Sequence, residues 1–262
     1  MSLATVAGAS AATKDVVLYY GFDRAPGSGT AAQTIPLGND GDGPVEASIV
    51  SSHGGTLTSA ASRPGQGDAA RFPAFDPTQS GQRAVVEIEN RTDTDVLAPG
   101  SRDFAWSAAF MVDARSSDHS GTSQDNGDNL FQRGLYNDDQ YKLDVDDHQP
   151  GCRLRGSTGD AGAVRVVAPV TVSPDKWYRA TCNRSGDTLT ITIVAFDADG
   201  RATRSWTNSA TSSVGFGSLT WKDTKTPVTI GGKLDADATP ADGSTDQFNG
   251  VVDNPQLRIY NP

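Results

Sequence analysis

The stretch "FNGVVDNPQLRIYN", Phe248 to Asn261, gathers apolar and β-branched residues and sets one carboxylate, Asp253, inside its most apolar part. Val251, Val252, Leu257 and Ile259 suit a pleated, half-buried surface, and no helical spacing of apolar residues runs through them. The run reads as a strand. A carboxylate buried there without a partner would be costly, so Asp253 needs a donor or a cation from elsewhere in the chain.

Alternation of apolar and polar residues recurs throughout the sequence, and a 3.6-residue period does not. "VVLYYGF" puts Val16, Leu18, Tyr20 and Phe22 on one face, and "DFAWSAAFMVD" does the same with Phe104, Trp106, Ala108, Phe110 and Val112. "YKLDVDD" turns Tyr141, Leu143 and Val145 inward, and "DTLTITIVAF" sets Leu189, Ile191 and Ile193 against a ladder of threonines. With "RAVVEIE", "VRVVAPV", "PVTIGG" and the closing stretch, the count approaches about ten strands, the number at which a sheet splits into two packed layers. Long tracts rich in Gly, Asp, Ser and Asn lie between them, at Ala25 to Pro44, Ala114 to Asp128 and Leu234 to Gln247. Loops of that length are more often functional than idle.

Composition bounds the partners. The 262 residues carry 32 acidic and 22 basic side chains, a net charge of -10, which disfavours a phosphate-tracking surface and so excludes nucleic acid. Glutamate occurs only at Glu46, Glu87 and Glu89, so nearly all the acid is the turn-favouring aspartate. No apolar run approaches the about 20 residues of a membrane helix, which argues against membrane insertion. "ATVAGASAATKD", Ala4 to Asp15, has the small-residue character of a secretory cleavage region. Residues 1–15 are expected to be a disordered N-terminus, with Met1-Ser2-Leu3 a cloning remnant ahead of the tail of a removed signal. Secretion follows from that reading. Cys152 and Cys182 lack the number and spacing of a zinc site. They point to a structural disulfide between neighbouring strands, two buried thiols being the alternative.

The order of motifs resembles a known family. "YYGFD", "AARFPAF", "DFAWSAAFMV", "NLFQRGLYNDDQYKLDVDD", "KWYRATCNRSGDTLTITIVAFDADG" and "FNGVVDNPQLRIYN" are similar, in order, to the strands of the laminin G-like, or concanavalin A-like, jelly-roll domains of secreted bacterial proteins. The resemblance spans Val16 to Asn261 and implies one all-β domain over residues 16–262, a two-sheet antiparallel sandwich. A subgroup in actinobacterial proteins joins neighbouring strands through paired cysteines, which implies Cys152 with Cys182. The family often binds sugar, frequently with calcium, and includes binding modules, glycosidases, lyases and adhesion domains.

The resemblance also lays the first and last strands side by side, so Asp23 and Asp253 are expected to converge, where they would share a structural calcium; a backbone amide or Arg258 is the alternative partner. The enzyme reading rests on carboxylate pairs. Glu87 and Glu89 in "VVEIEN" share a face roughly 7 Å apart along a strand, but the third acid of the resembled glucanases is missing after Glu89. A solvated strand explains the two glutamates, and no catalytic residue is assigned. A lyase would use His148, Tyr141, Arg153 and Arg155, beside which Asp144, Asp146 and Asp147 would repel an acidic sugar. Binding without turnover needs an aromatic platform and a few polar groups. Tyr136 with Asp138 in the "GLYNDDQ" turn, and Trp206 and Trp221 beside loops, are the candidates. The expectation is a secreted binding or adhesion module for carbohydrate or a cell-surface glycan. A polysaccharide-cleaving enzyme and a structural spacer are the alternatives.

Overall fold

The structure, a computed structural model, describes residues 14–23, 35–116, 127–235, 239–240 and 245–261. Residues 1–13 of the N-terminus expected to be disordered over 1–15, and most of the Asp-rich tracts around Asp125 and Asp242, lie outside the described residues; Lys14 and Asp15, by contrast, pair with Tyr260 and Ile259 in a strand. In chain order the strands are β1 (Lys14–Tyr19), β2 (Val45–Ser52), β3 (Thr58–Ala61), β4 (Asp68–Arg71), β5 (Arg83–Asn90), β6 (Phe104–Val112), β7 (Asn129–Arg133) and β8 (Gln140–Asp146). They continue as β9 (Gln149–Arg155), β10 (Val164–Val167), β11 (Tyr178–Ser185), β12 (Thr188–Phe196), β13 (Ala202–Thr211), β14 (Val228–Ile230) and β15 (Gly250–Tyr260).

These strands make two antiparallel sheets, the sandwich that the alternation implies. One has the order β13-β12-β11-β6-β15-β4-β3, with β1 also paired to β15; the other runs β10-β9-β8-β7-β14-β5-β2. Their inner faces meet in an aromatic core. Phe104 and Trp106 of β6 stack at 4.9 Å, and Tyr141 of β8 in the facing sheet packs on Trp106 at 5.6 Å. Phe104, Trp106, Phe110, Tyr141, Leu143, Leu189, Ile191 and Ile193 are all fully buried, as their alternation requires.

Two irregularities depart from strict alternation. The register of β1 against β15 slips between Val16 and Leu18, so Val17 and Leu18 are both buried while Val16 stands half-buried opposite Arg258. On β15 the register against β6 slips between Asp253 and Gln256, where Asn254 takes a φ of 50°. This bulge lets one strand serve two partners: Val251 and Val252 pair with β4, and Gln256 to Tyr260 pair with β1.

The strands outnumber the sequence-based count because some carry almost no apolar signal. β13, "ATRSWTNSAT", is exposed along most of its length at the sheet edge. Cys152 and Cys182 form a disulfide with Cα atoms 5.8 Å apart. The bond joins β9 to β11, and hence one sheet to the other, rather than neighbouring strands of one sheet as expected. Both side chains point into the core, which is why the bridge crosses it.

Candidate functional site

The outer face of the second sheet carries a polar row running across four strands. Ser48 of β2 lies opposite Glu87 of β5, Glu87 opposite Thr229 of β14, and Thr229 opposite Gln132 of β7. A cavity of about 460 Å³ opens over this row. Leu135 and Asp138 enter it from the turn after β7, and Asp223 and Lys225 from the segment before β14. Gly134 makes the first turn possible. It adopts a φ of 77°, and a Cβ there would meet the Asp139 carbonyl oxygen at 1.9 Å. The two segments are tied together by Asp139 Oδ2, which accepts the Thr220 N–H at 2.9 Å. Burial raises the Asp139 carboxyl above the ordinary aspartate range.

Glu87 and Glu89, read from sequence as solvated strand residues, both line the cavity. Burial, chiefly, and the neighbouring Glu89 charge hold the Glu87 carboxyl above its usual range, and the Ser48 hydroxyl donates to Oε2 at 3.2 Å. Glu89 instead pairs with Arg91 at 3.0 Å, and the same guanidinium reaches Glu46 at 2.5 Å. Every glutamate of the chain therefore sits on two adjacent strands at one site. A composition that otherwise uses aspartate for acid held that signal. Mid-strand positions disfavour the shorter carboxylate, so glutamate in "VVEIEN" marks acid placed on a sheet face.

Tyr136 stands beside the cavity, next to Leu135, and is 69% exposed. The Arg153 guanidinium lies 4.2 Å from its ring centroid and donates from Nη2 to the Tyr136 carbonyl at 3.1 Å. Arg153 is held in turn by the Gln140 side chain. The ring is thus propped from one side and open elsewhere.

The structure brings together two of the four expected ligand residues, Tyr136 and Asp138. Trp221 backs the same turn but packs into the core, edge-on to Tyr141 at 5.8 Å with the Arg133 guanidinium 4.1 Å over its ring. Trp206 is remote from the cavity, on β13 of the other sheet opposite Ile193, where it packs against the edge of the core.

Asp23 and Asp253 come close enough to interact electrostatically. Asp253 is fully buried; it accepts from the Ser62 hydroxyl and from Asn254 Nδ2 at 2.8 Å, and the Tyr19 hydroxyl donates to the Asn254 side chain. Asp23 Oδ1 accepts the Asp68 N–H at 2.8 Å. Each carboxylate accepts from donors of the chain, Asp253 through Oδ2 while its buried Oδ1 has no hydrogen-bond partner among the described residues, and Arg63 and Arg179 bring positive charge to the same spot. Among the described residues no group of three or more His, Cys, Asp or Glu is arranged to hold a metal.

No protein-family model and no curated protein matches the chain. Solved structures do. The binding domain of Paraclostridial Mosquitocidal Protein 1 aligns over 95% of this chain and 50% of its own at 10% identity, with a TM-score of 0.53. The binding domain of Botulinum Neurotoxin DC in complex with SialylT aligns over 93% and 47% at 10% identity and a TM-score of 0.51. The enzymatically active domain of Bacteriophage CBA120 tailspike protein 2 aligns over 90% and 30% at 12% identity and a TM-score of 0.50. The chain spans half or less of each matched chain. At such identities the likeness is one of fold, and the fold of this chain is a two-sheet antiparallel jelly-roll sandwich.

Proposed function

We propose that the chain is an extracellular carbohydrate-binding module that holds a glycan in the cavity over Glu87, Thr229 and Gln132 without turning it over. The observation that carries this reading is Tyr136, a propped and open aromatic ring in the turn whose Leu135 and Asp138 line the cavity. Sugars offer an apolar C–H face and a rim of hydroxyls, which an aromatic platform and fixed carboxylate and amide acceptors complement. Two neighbours of the same fold are binding domains, one of them solved with SialylT. A disulfide across the sandwich suits an oxidising compartment, and no helix among the described residues is long and apolar enough to cross a membrane. The net charge of -10 speaks against nucleic acid. A glycan array tests the reading: binding to defined glycans that Tyr136→Ala weakens supports it, and an empty array sinks it.

One observation favours a second reading, a glycan-cleaving enzyme. Glu87 and Glu89 share the cavity and differ in environment, the Glu87 carboxyl raised by burial and the Glu89 carboxylate paired with Arg91. Unequal carboxylates are the arrangement from which glycosidases assign acid and base. Release of reducing sugar that Glu87→Gln abolishes would replace the binding module with the enzyme.

A further inference from the structure

The charge of the cavity narrows its ligand, given the carbohydrate reading on which this inference rests. Five carboxylates line it, those of Glu87, Glu89, Asp138, Asp223 and Asp235, against the single ammonium of Lys225. Arg91 pairs with Glu89 and Glu46 and also acts electrostatically on Glu87, so its one charge is spread over three carboxylates. Among the described residues Glu87, Asp138, Asp223 and Asp235 form no ion pair. Glu87 is the most telling of these, because it is set into the sheet face, where burial raises its carboxyl against the Ser48 hydroxyl and a share of the Arg91 charge.

We infer that the cavity selects glycans bearing a protonated amine, the amino sugars, and rejects those bearing a carboxylate or sulfate. An ammonium entering beside Glu87 supplies the missing counter-charge in a site where part of the water is already displaced, so the attraction is stronger than on an open surface. A uronate, sulfate or sialic acid meets an excess of carboxylates over the cations Lys225 and Arg91 instead, and like-charge contact is the repulsive element that makes a site selective. A neutral N-acetylated sugar keeps the stacking on Tyr136 and the hydroxyl contacts and loses only the ion pair. The order is amino sugar, then neutral sugar, then acidic sugar. This chain therefore differs in ligand charge from the relative of the same fold solved with SialylT.

The test titrates the intact chain at pH 6.5 with three oligomers matched in length: glucosamine oligomers, their fully N-acetylated counterparts and uronic-acid oligomers. Glucosamine oligomers are expected to bind about tenfold or more tighter than the N-acetylated ones, an advantage that Glu87→Gln and Asp138→Asn reduce and that 0.5 M salt erodes. Uronic-acid oligomers are expected not to bind. Circular dichroism of each variant shows that it is folded, and the readout is the ratio of the two affinities, which a general weakening of the site leaves unchanged. Equal binding of the amino and N-acetylated oligomers, unmoved by salt and by Glu87→Gln, overturns the charge assignment and leaves the carbohydrate reading standing. Preferential binding of the uronic-acid oligomer likewise overturns it. Binding of none of the three overturns both.

Discussion

Asp23 and Asp253 grip the two ends of one turn: Asp253 takes the Ser62 hydroxyl just after β3, and Asp23 takes the backbone N–H of Asp68 at the start of β4. One carboxylate follows the first strand and the other lies within the last, so the β3–β4 turn is clamped by both ends of the domain. The clamp costs something at neutral pH. Burial, chiefly, pushes the Asp253 carboxyl up to about 6, against the opposing pull of the Ser62 hydrogen bond and the Arg63 charge.

That shift fixes a pH dependence. An aspartate whose folded pKa is raised binds its proton more tightly in the folded than in the unfolded chain. Its penalty is absent below the unfolded value near 4 and grows as pH rises through the folded value of about 6. The contribution of Asp253 to stability therefore falls by about 3 kcal/mol between pH 4 and pH 7, as an order of magnitude. Chemical denaturation across that range should show the loss in the native chain and a flatter profile in Asp253→Asn. An unchanged difference between the two proteins at pH 4 and pH 7 would contradict the assignment.

The same clamp makes a prediction about metal. Asp23 and Asp253 accept from Asp68, Ser62 and Asn254, and Arg63 and Arg179 already supply positive charge beside them, with Asp253 Oδ1 left buried and without a hydrogen-bond partner among the described residues. EDTA should leave the melting temperature unchanged, and added calcium should not raise it. A rise of several degrees with calcium would show that the clamp opens to admit the ion.

The disulfide crosses the core, so its loss is felt by both sheets. It closes a loop of 30 residues between β9 and β11. By the chain-entropy account such a link contributes about 3–4 kcal/mol. Cys152→Ser with Cys182→Ser should lower the unfolding free energy by that amount while the fold persists, read by denaturant midpoint with and without reductant. A reductant-insensitive midpoint in the native chain would refute it.

How much of this was legible from the residues follows the range of each signal. Alternation located the core faces because each strand reports its own buried side, and Trp106, Tyr141 and Ile191 are where their periodicity places them. It could not report β13, whose edge position leaves it polar on both sides, nor the slips in β1 and β15, which arise from pairing with a distant strand. The direction of the disulfide was hidden for the same reason, since spacing does not say which sheet a strand joins. The exposure of Tyr136 was legible, as an aromatic in a polar turn. The placement of Glu87 in a cavity was not, because Thr229 and Gln132, which line it too, are brought alongside by sheet order alone.

Trp221 and Trp206 separate structure from recognition. Trp221 fills the space between Tyr141 and the buried Arg133, whose guanidinium also pairs with Asp95 at 2.9 Å. Trp221→Ala should cost about 3–5 kcal/mol, the range for emptying a large aromatic site in a core. Trp206→Ala, at the sheet edge, should cost less and leave glycan affinity untouched. A Trp206 variant that folds normally yet loses binding would move the site to the other sheet.

Tyr136 is the converse case. Its ring is largely in water, so Tyr136→Ala should change the unfolding free energy by less than about 1 kcal/mol, the loss of an exposed contact with Arg153. Binding should suffer far more, because stacking against a sugar face and exclusion of water from the cavity both depend on the ring. A fall in affinity of about tenfold or more is expected for amino and N-acetylated glycans alike, whereas Glu87→Gln should weaken the amino oligomer more than the N-acetylated one. Calorimetry on the two variants with one amino and one N-acetylated oligomer distinguishes the roles. If Tyr136→Ala binds both as the native chain does, the platform lies elsewhere on the sandwich and the cavity is not the site.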